Sequence, residues 1–109
     1  MGMGAANEMK GKRLKTIKTS DVFAKWYDKL KDVNAKGRIA RRIKNAARGN
    51  YGDVQPVGGN VSELRFHFGP GYRVYFTERN GAIIFLLVGG TKKTQSEDIK
   101  LAKEIAATI

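Results

Sequence analysis

V-S-E-L-R-F-H-F-G-P-G-Y-R-V-Y-F, residues 61–76, decides the fold. Apolar and polar side chains alternate on both sides of Gly69-Pro70-Gly71. That is the period-2 pattern of two half-buried strands joined by a tight turn. In the first strand Leu64, Phe66 and Phe68 share one face, and Glu63, Arg65 and His67 share the other. In the second, Tyr72, Val74 and Phe76 oppose Arg73 and Tyr75. With the apolar sets turned to the core, Arg65, His67, Arg73 and Tyr75 gather on the opposite face. A cationic face flanked by aromatics suits a phosphate group. The plainer reading is a hairpin with one solvated face.

Downstream, Asn80-Gly81 is a strong two-residue hairpin signal. Ala82 to Val88 is apolar on both faces, which predicts an interior strand covered on both sides. Gly89-Gly90-Thr91-Lys92-Lys93 follows, with glycines that allow backbone to approach a ligand. Thr94 or Ser96 offers a cap for a last helix, with Glu97 and Asp98 in its first turn. Ile99, Ala102, Ile105 and Ala106 form its apolar stripe.

Upstream, Leu14 to Lys18 has a short strand pattern, and Thr19, Ser20 and Asp21 offer helix-capping chemistry. Val22, Phe23, Trp26, Tyr27 and Leu30 then recur at helical spacing, with Trp26 as a core anchor. Asn34 is a cap for a second helix over Ala35 to Arg48. Its apolar stripe is Ile39, Ala40, Ile43, Ala46 and Ala47, and its other faces carry Lys36, Arg38, Arg41, Arg42, Lys44 and Arg48 without one acidic residue. Gly49 to Asn60 reads as a loop. The predicted order is β-α-α-β-β-β-α: an α+β fold with an antiparallel sheet, an N-terminal helical hairpin and a C-terminal helix. Residues 1–12 read as a disordered extension or cloning remnant, and 13–109 as one domain.

With 109 residues the chain is long enough for a single core. It has no cysteine, which excludes disulfides, thiolate metal sites and cysteine nucleophiles and fits a cytoplasmic location. One histidine leaves no convincing metal site, and no cofactor is expected. G-G-T-K-K-T lacks the spacing of a phosphate-binding P-loop. No apolar run has the length of a membrane span. The net charge is +11, unevenly spread. Residues 1–48 hold 14 Lys and Arg against 4 Asp and Glu, and residues 49–109 hold 7 against 6. A one-sided basic field draws in a polyanion or an acidic protein partner.

The run E-L-R-F-H-F-G-P-G-Y-R-V-Y-F, followed by I-I-F-L-L-V-G-G-T-K-K-T-Q-S-E-D-I, resembles the RelE/ParE/HigB superfamily of bacterial toxins. Within it the run is most similar to the HigB-like branch of addiction-module killer proteins. The resemblance implies the toxin of a type II toxin–antitoxin module, a ribosome-dependent endoribonuclease that cuts mRNA without a metal. It also implies a cognate antitoxin, small and with a helix-turn-helix, alongside the ribosome and mRNA as partners. Carried over by motif, Arg73 of G-Y-R stabilises the phosphate, with Arg65 on the preceding strand and Lys92 after the last strand. The chain departs from the family at Glu63, where a second basic residue is expected. It departs again at Gln95-Ser96-Glu97-Asp98, where some members carry a tyrosine. His67 stands as the substitute proton carrier.

The chemistry of the residues is compatible with that role. Metal-free RNA cleavage uses the 2′-hydroxyl as nucleophile, and clustered guanidinium and ammonium groups stabilise the phosphorane. His67 alone has an ordinary pKa near neutrality. The expected catalytic set is Arg65, His67, Arg73 and Lys92. The expected RNA contacts are Tyr75, Lys93, Arg38, Arg41, Arg42 and Arg48. Two other readings stand beside it: a ParE-like inhibitor of DNA gyrase without nuclease activity, and a non-catalytic basic RNA-binding domain.

Overall fold

The computed structural model describes residues 14–109, so the reading of residues 1–12 lies outside the described residues. Eight regular elements follow in order. They are β1 (Thr16–Thr19), α1 (Asp21–Lys29), α2 (Val33–Ala47), β2 (Val54–Gly58), β3 (Val61–Arg65), β4 (Tyr72–Arg79), β5 (Ile83–Thr91) and α3 (Gln95–Ala106). A short 3-10 turn, Lys92–Thr94, links β5 to α3. The strands form one sheet in the order β1-β5-β4-β3-β2. Only β1 with β5 is parallel; the other neighbours are antiparallel. The α+β class and the antiparallel central hairpin match the expectation, with Arg65 opposite Arg73 and Leu64 opposite Val74.

Capping chemistry sets where the helices begin. The Ser20 hydroxyl accepts from the Phe23 amide at 3.0 Å and donates to the Leu87 carbonyl at 2.6 Å, so one side chain starts α1 and ties it to β5. Asp32, not Asn34, caps α2 by accepting from the Ala35 amide at 3.1 Å. The helix therefore starts two residues before the predicted Ala35. Arg79-Asn80-Gly81-Ala82 closes as expected, with φ of 57° and 64° at Asn80 and Gly81.

One strand is new. The predicted loop 49–60 contains β2, paired antiparallel to β3. Its connection is Gly59-Asn60, again with positive φ at both residues, and Gly-Asn is a hairpin signal in its own right. Pro56 lacks an amide hydrogen, and β2 accordingly lies at the sheet edge, where that donor is not needed.

The sheet is buried on both faces. On one side Phe23, Ala35, Ile39 and Ala46 of α1 and α2 pack on Leu64, Phe66, Tyr72, Val74, Phe76, Ile84 and Leu86. On the other, Ala102 and Ala106 of α3 pack on Val61, Tyr75, Leu87 and Val88. The register shift in the β4–β5 ladder leaves Leu87 beside Val88 on the same side.

Gly89 and Gly90 serve this packing rather than a ligand. A Cβ on Gly89 would stand 2.1 Å from the Trp26 ring, and one on Gly90 would stand 1.8 Å from an Asp98 carboxylate oxygen. The expectation that they admit a ligand to the backbone is corrected: side chains from the two helical layers fill both positions. Gly89→Ala is expected to lower stability by about 1–3 kcal/mol, because the indole has no free end to swing aside. Urea unfolding of the variant against the parent chain measures this, and an unchanged midpoint would contradict the packing.

Candidate functional site

Glu63, on β3, is 3% exposed, and its carboxylate organises the face that sequence alternation left open. It accepts a hydrogen bond from the Tyr75 hydroxyl at 2.9 Å and from Gln95 Nε2 at 2.6 Å. Arg73 Nε lies 3.8 Å away and Arg65 Nε 3.9 Å, both at ion-pair distance. A buried carboxylate needs such partners, since desolvation without them is costly. Burial, then the bond to Glu63, pushes the Tyr75 hydroxyl well above the usual tyrosine range.

Tyr75 is therefore not an RNA contact. It is 0% exposed beneath α3, and its hydroxyl is committed to Glu63. Alternation correctly put Tyr75 and Arg73 on one face, but that face is covered rather than open.

Arg73 is 4% exposed. Its Nη1 donates to the carbonyls of Tyr72 at 3.1 Å and Gly71 at 3.2 Å. These bonds brace the 66–71 turn from below, and Lys92 N donates to the Gly71 carbonyl at 2.8 Å. Arg73 is thus largely engaged internally, with only its edge reaching the surface.

That surface is a cleft of about 390 Å³ lined by Arg65, His67, Arg73, Lys92 and the turn Phe68–Gly71. The four residues expected to share a site do converge on it. His67 is the most open of the paired groups, with its side chain 65% exposed. Its Nε2 is hydrogen-bonded to Asp53 Oδ2. This bond holds the Asp53 carboxyl below the usual carboxylate range, and the Arg65 and Arg42 charges add to the effect. Arg65 Nε lies 4.0 Å from the same carboxylate. Sequence reasoning missed Asp53, because it sits in a connection 14 residues from His67 and only the β2–β3 pairing brings the two together.

A second cavity of about 280 Å³ adjoins the cleft and shares Arg65, Phe66, His67 and Phe68 with it. Its far wall is α2, through Arg38, Arg41, Arg42 and Asn45. Arg42 is locked by donating to the carbonyls of Tyr51 at 3.2 Å, Arg65 at 3.0 Å and Asp53 at 3.1 Å. It fixes the loop that carries Asp53. Arg38 and Arg41 are exposed. Arg48, at the C-terminal end of α2, and Lys93 are exposed but line neither cavity.

No protein-family model matches the chain. An uncharacterized protein of Haemophilus influenzae (strain ATCC 51907 / DSM 11121 / KW20 / Rd) is 48% identical over 90 residues, spanning 83% of this chain and 91% of that protein. Among solved structures, an arginine-to-alanine double mutant of the E. coli toxin RelE in the free state superposes with a TM-score of 0.58. It covers 80% of this chain and 96% of its own, at 12% identity, which establishes a shared RelE-like fold.

Two outcomes follow from this geometry. Tyr75→Phe is expected to cost about 1–3 kcal/mol of stability by removing a hydrogen bond from a buried carboxylate. Chemical denaturation measures it, and a neutral result would contradict the network. Asp53 has a depressed pKa in the folded chain. Its stabilisation is therefore complete above the ordinary carboxylate range and is lost as pH falls through the lower folded value. Asp53→Asn is expected to melt below the parent at pH 7, and the gap to close at pH below about 4. Equal melting temperatures at pH 7 would mean that the pair does not hold in solution.

Proposed function

We propose that this chain, which belongs to the same family as the Haemophilus influenzae protein and has the RelE fold, is the toxin of a type II toxin–antitoxin module. It acts as a metal-independent endoribonuclease on mRNA, at the ribosome, and falls within the HigB-like branch. The observation that carries this reading is the convergence of Arg65, His67, Arg73 and Lys92 on one open cleft. A small cognate antitoxin of helix-turn-helix type holds it inactive in the cytoplasm.

The cleft's groups have complementary tasks. With Nε2 turned to Asp53, His67 leaves Nδ1 open to take the 2′-hydroxyl proton. The carboxylate steadies the imidazolium that forms. The 2′-oxygen attacks the adjacent phosphorus and displaces the 5′-oxygen, leaving a 2′,3′-cyclic phosphate. Lys92 donates a proton to the departing oxygen, and Arg65 faces the phosphorane charge. Arg73 acts mainly by holding the cleft wall, because Glu63 and the turn carbonyls already engage it.

That engagement favours a second reading, since a neutralised Arg73 weakens the cationic field. In it the chain either blocks DNA gyrase as a ParE-like protein or only binds RNA.

Inducing the chain in cells and mapping mRNA 5′ ends separates these readings. New ends with growth arrest are expected for the parent. Arg65→Ala and His67→Gln should lower cleavage by about 100-fold or more while the chain, though less stable, stays folded at the assay temperature. Arrest without new RNA ends, together with gyrase-linked DNA breaks, would replace the nuclease with the ParE-like reading. Undiminished cleavage by both variants would dismiss the assigned site.

A further inference from the structure

Above the cleft, on the α2 side, a guanidinium sits over an aromatic ring. Arg38 Cζ is 3.7 Å from the centroid of Phe68. Phe68 is itself supported by Phe66 and Tyr72, with ring centroids 6.1 and 5.6 Å away. Arg42 sits over Phe66 at 4.5 Å but is anchored by three backbone carbonyls. Among the described residues Arg38 has no hydrogen bond or ion pair, and the Phe68 ring is its close partner. It is exposed and lines the second cavity. Arg41, one position from the locked Arg42, lines the same cavity and is likewise unpaired among the described residues.

We infer that this is a base-stacking subsite: one nucleobase of single-stranded RNA stacks on the outer face of Arg38, and Arg41 contacts that nucleotide's phosphate. The inference rests on the proposed action on RNA and adds to it a place for the nucleotide next to the cleaved one. A planar cation backed by a ring gives a nucleobase both stacking and charge, whereas a solvated lysine gives charge alone. The two cavities share the wall Arg65–Phe68, so a strand crossing from one to the other keeps one nucleotide in each. The alternative occupant, an acidic protein segment, has no use for the plane and would accept Lys equally well.

The test uses the full chain and a fluorescent single-stranded 2′-O-methyl RNA, which lacks the nucleophile and stays intact. Arg38→Lys keeps the charge and removes the plane. Binding by Arg38→Lys is expected to fall by at least about fivefold, the low end for one lost base stack. The slope of log affinity against log salt should stay as in the parent. Arg41→Gln is expected to reduce that slope by about one phosphate contact. Affinity of Arg38→Lys within twofold of the parent overturns the subsite, and leaves the nuclease reading to its own test in cells. A parent that fails to bind the RNA even at low salt overturns the subsite, while new mRNA ends in cells would still support the nuclease. Unchanged RNA binding by the charge-removing variant Arg38→Gln, with weakened capture of a poly-glutamate peptide, assigns Arg38 to a protein partner instead.

Discussion

The arrangement of the cleft depends on burying a single carboxylate. Glu63 sits in the sheet where a hydrophobic residue would ordinarily pack, and it is kept there by a tyrosine, a glutamine and two arginines from three different elements. Removing any one partner leaves the charge short of compensation in a low-dielectric setting. The restraint then passes outward. Glu63 holds Arg73, Arg73 holds the carbonyls of the 66–71 turn, and that turn holds the backbone of Lys92. A cleft made of mutually repelling cations keeps its shape because its floor is tied to this buried anion.

The same arrangement divides the labour among the cations. Arg73 and Arg42 spend their donors on carbonyls and so act as braces. Lys92, Arg38 and Arg41 are the groups left to meet an anion, and Arg65 is shared between Glu63, Asp53 and the cleft. Counting basic residues in the sequence cannot make this separation, since both kinds read as +1. The separation also explains how a helix without one acidic residue folds stably. Arg42 discharges its demand for acceptors into the loop below, Arg38 into a ring, and Asp32 steadies the N-terminus.

Much of the fold was legible because its signals are local. Alternation through residues 61–76 gave the hairpin faces, Asn80-Gly81 gave the next turn, and the two-sided apolar run 82–88 gave the central strand. What alternation cannot report is what covers a face. Arg73 and Tyr75 looked solvated because they are polar, yet both are buried, Tyr75 beneath α3 with its hydroxyl on Glu63 and Arg73 against the turn carbonyls and Glu63. Asp53 was invisible for a related reason. Its partner is fixed by strand pairing across a turn, and no spacing rule links a loop carboxylate to a strand-end histidine. Strand β2 carries a local signal of its own in the Gly59-Asn60 turn, while Pro56 within it is a residue that strands ordinarily exclude.

That proline has a consequence for the molecule's behaviour in a crowded solution. A sheet border with unpaired amides is an invitation to grow by recruiting further chains. Here one border, β2, is interrupted by Pro56 and by a register shift between Pro56 and Gly58, and the opposite border, β1, is only four residues long. Among the described residues neither offers an unbroken row of donors and acceptors. The described sheet is thereby built to resist fibril-like self-addition.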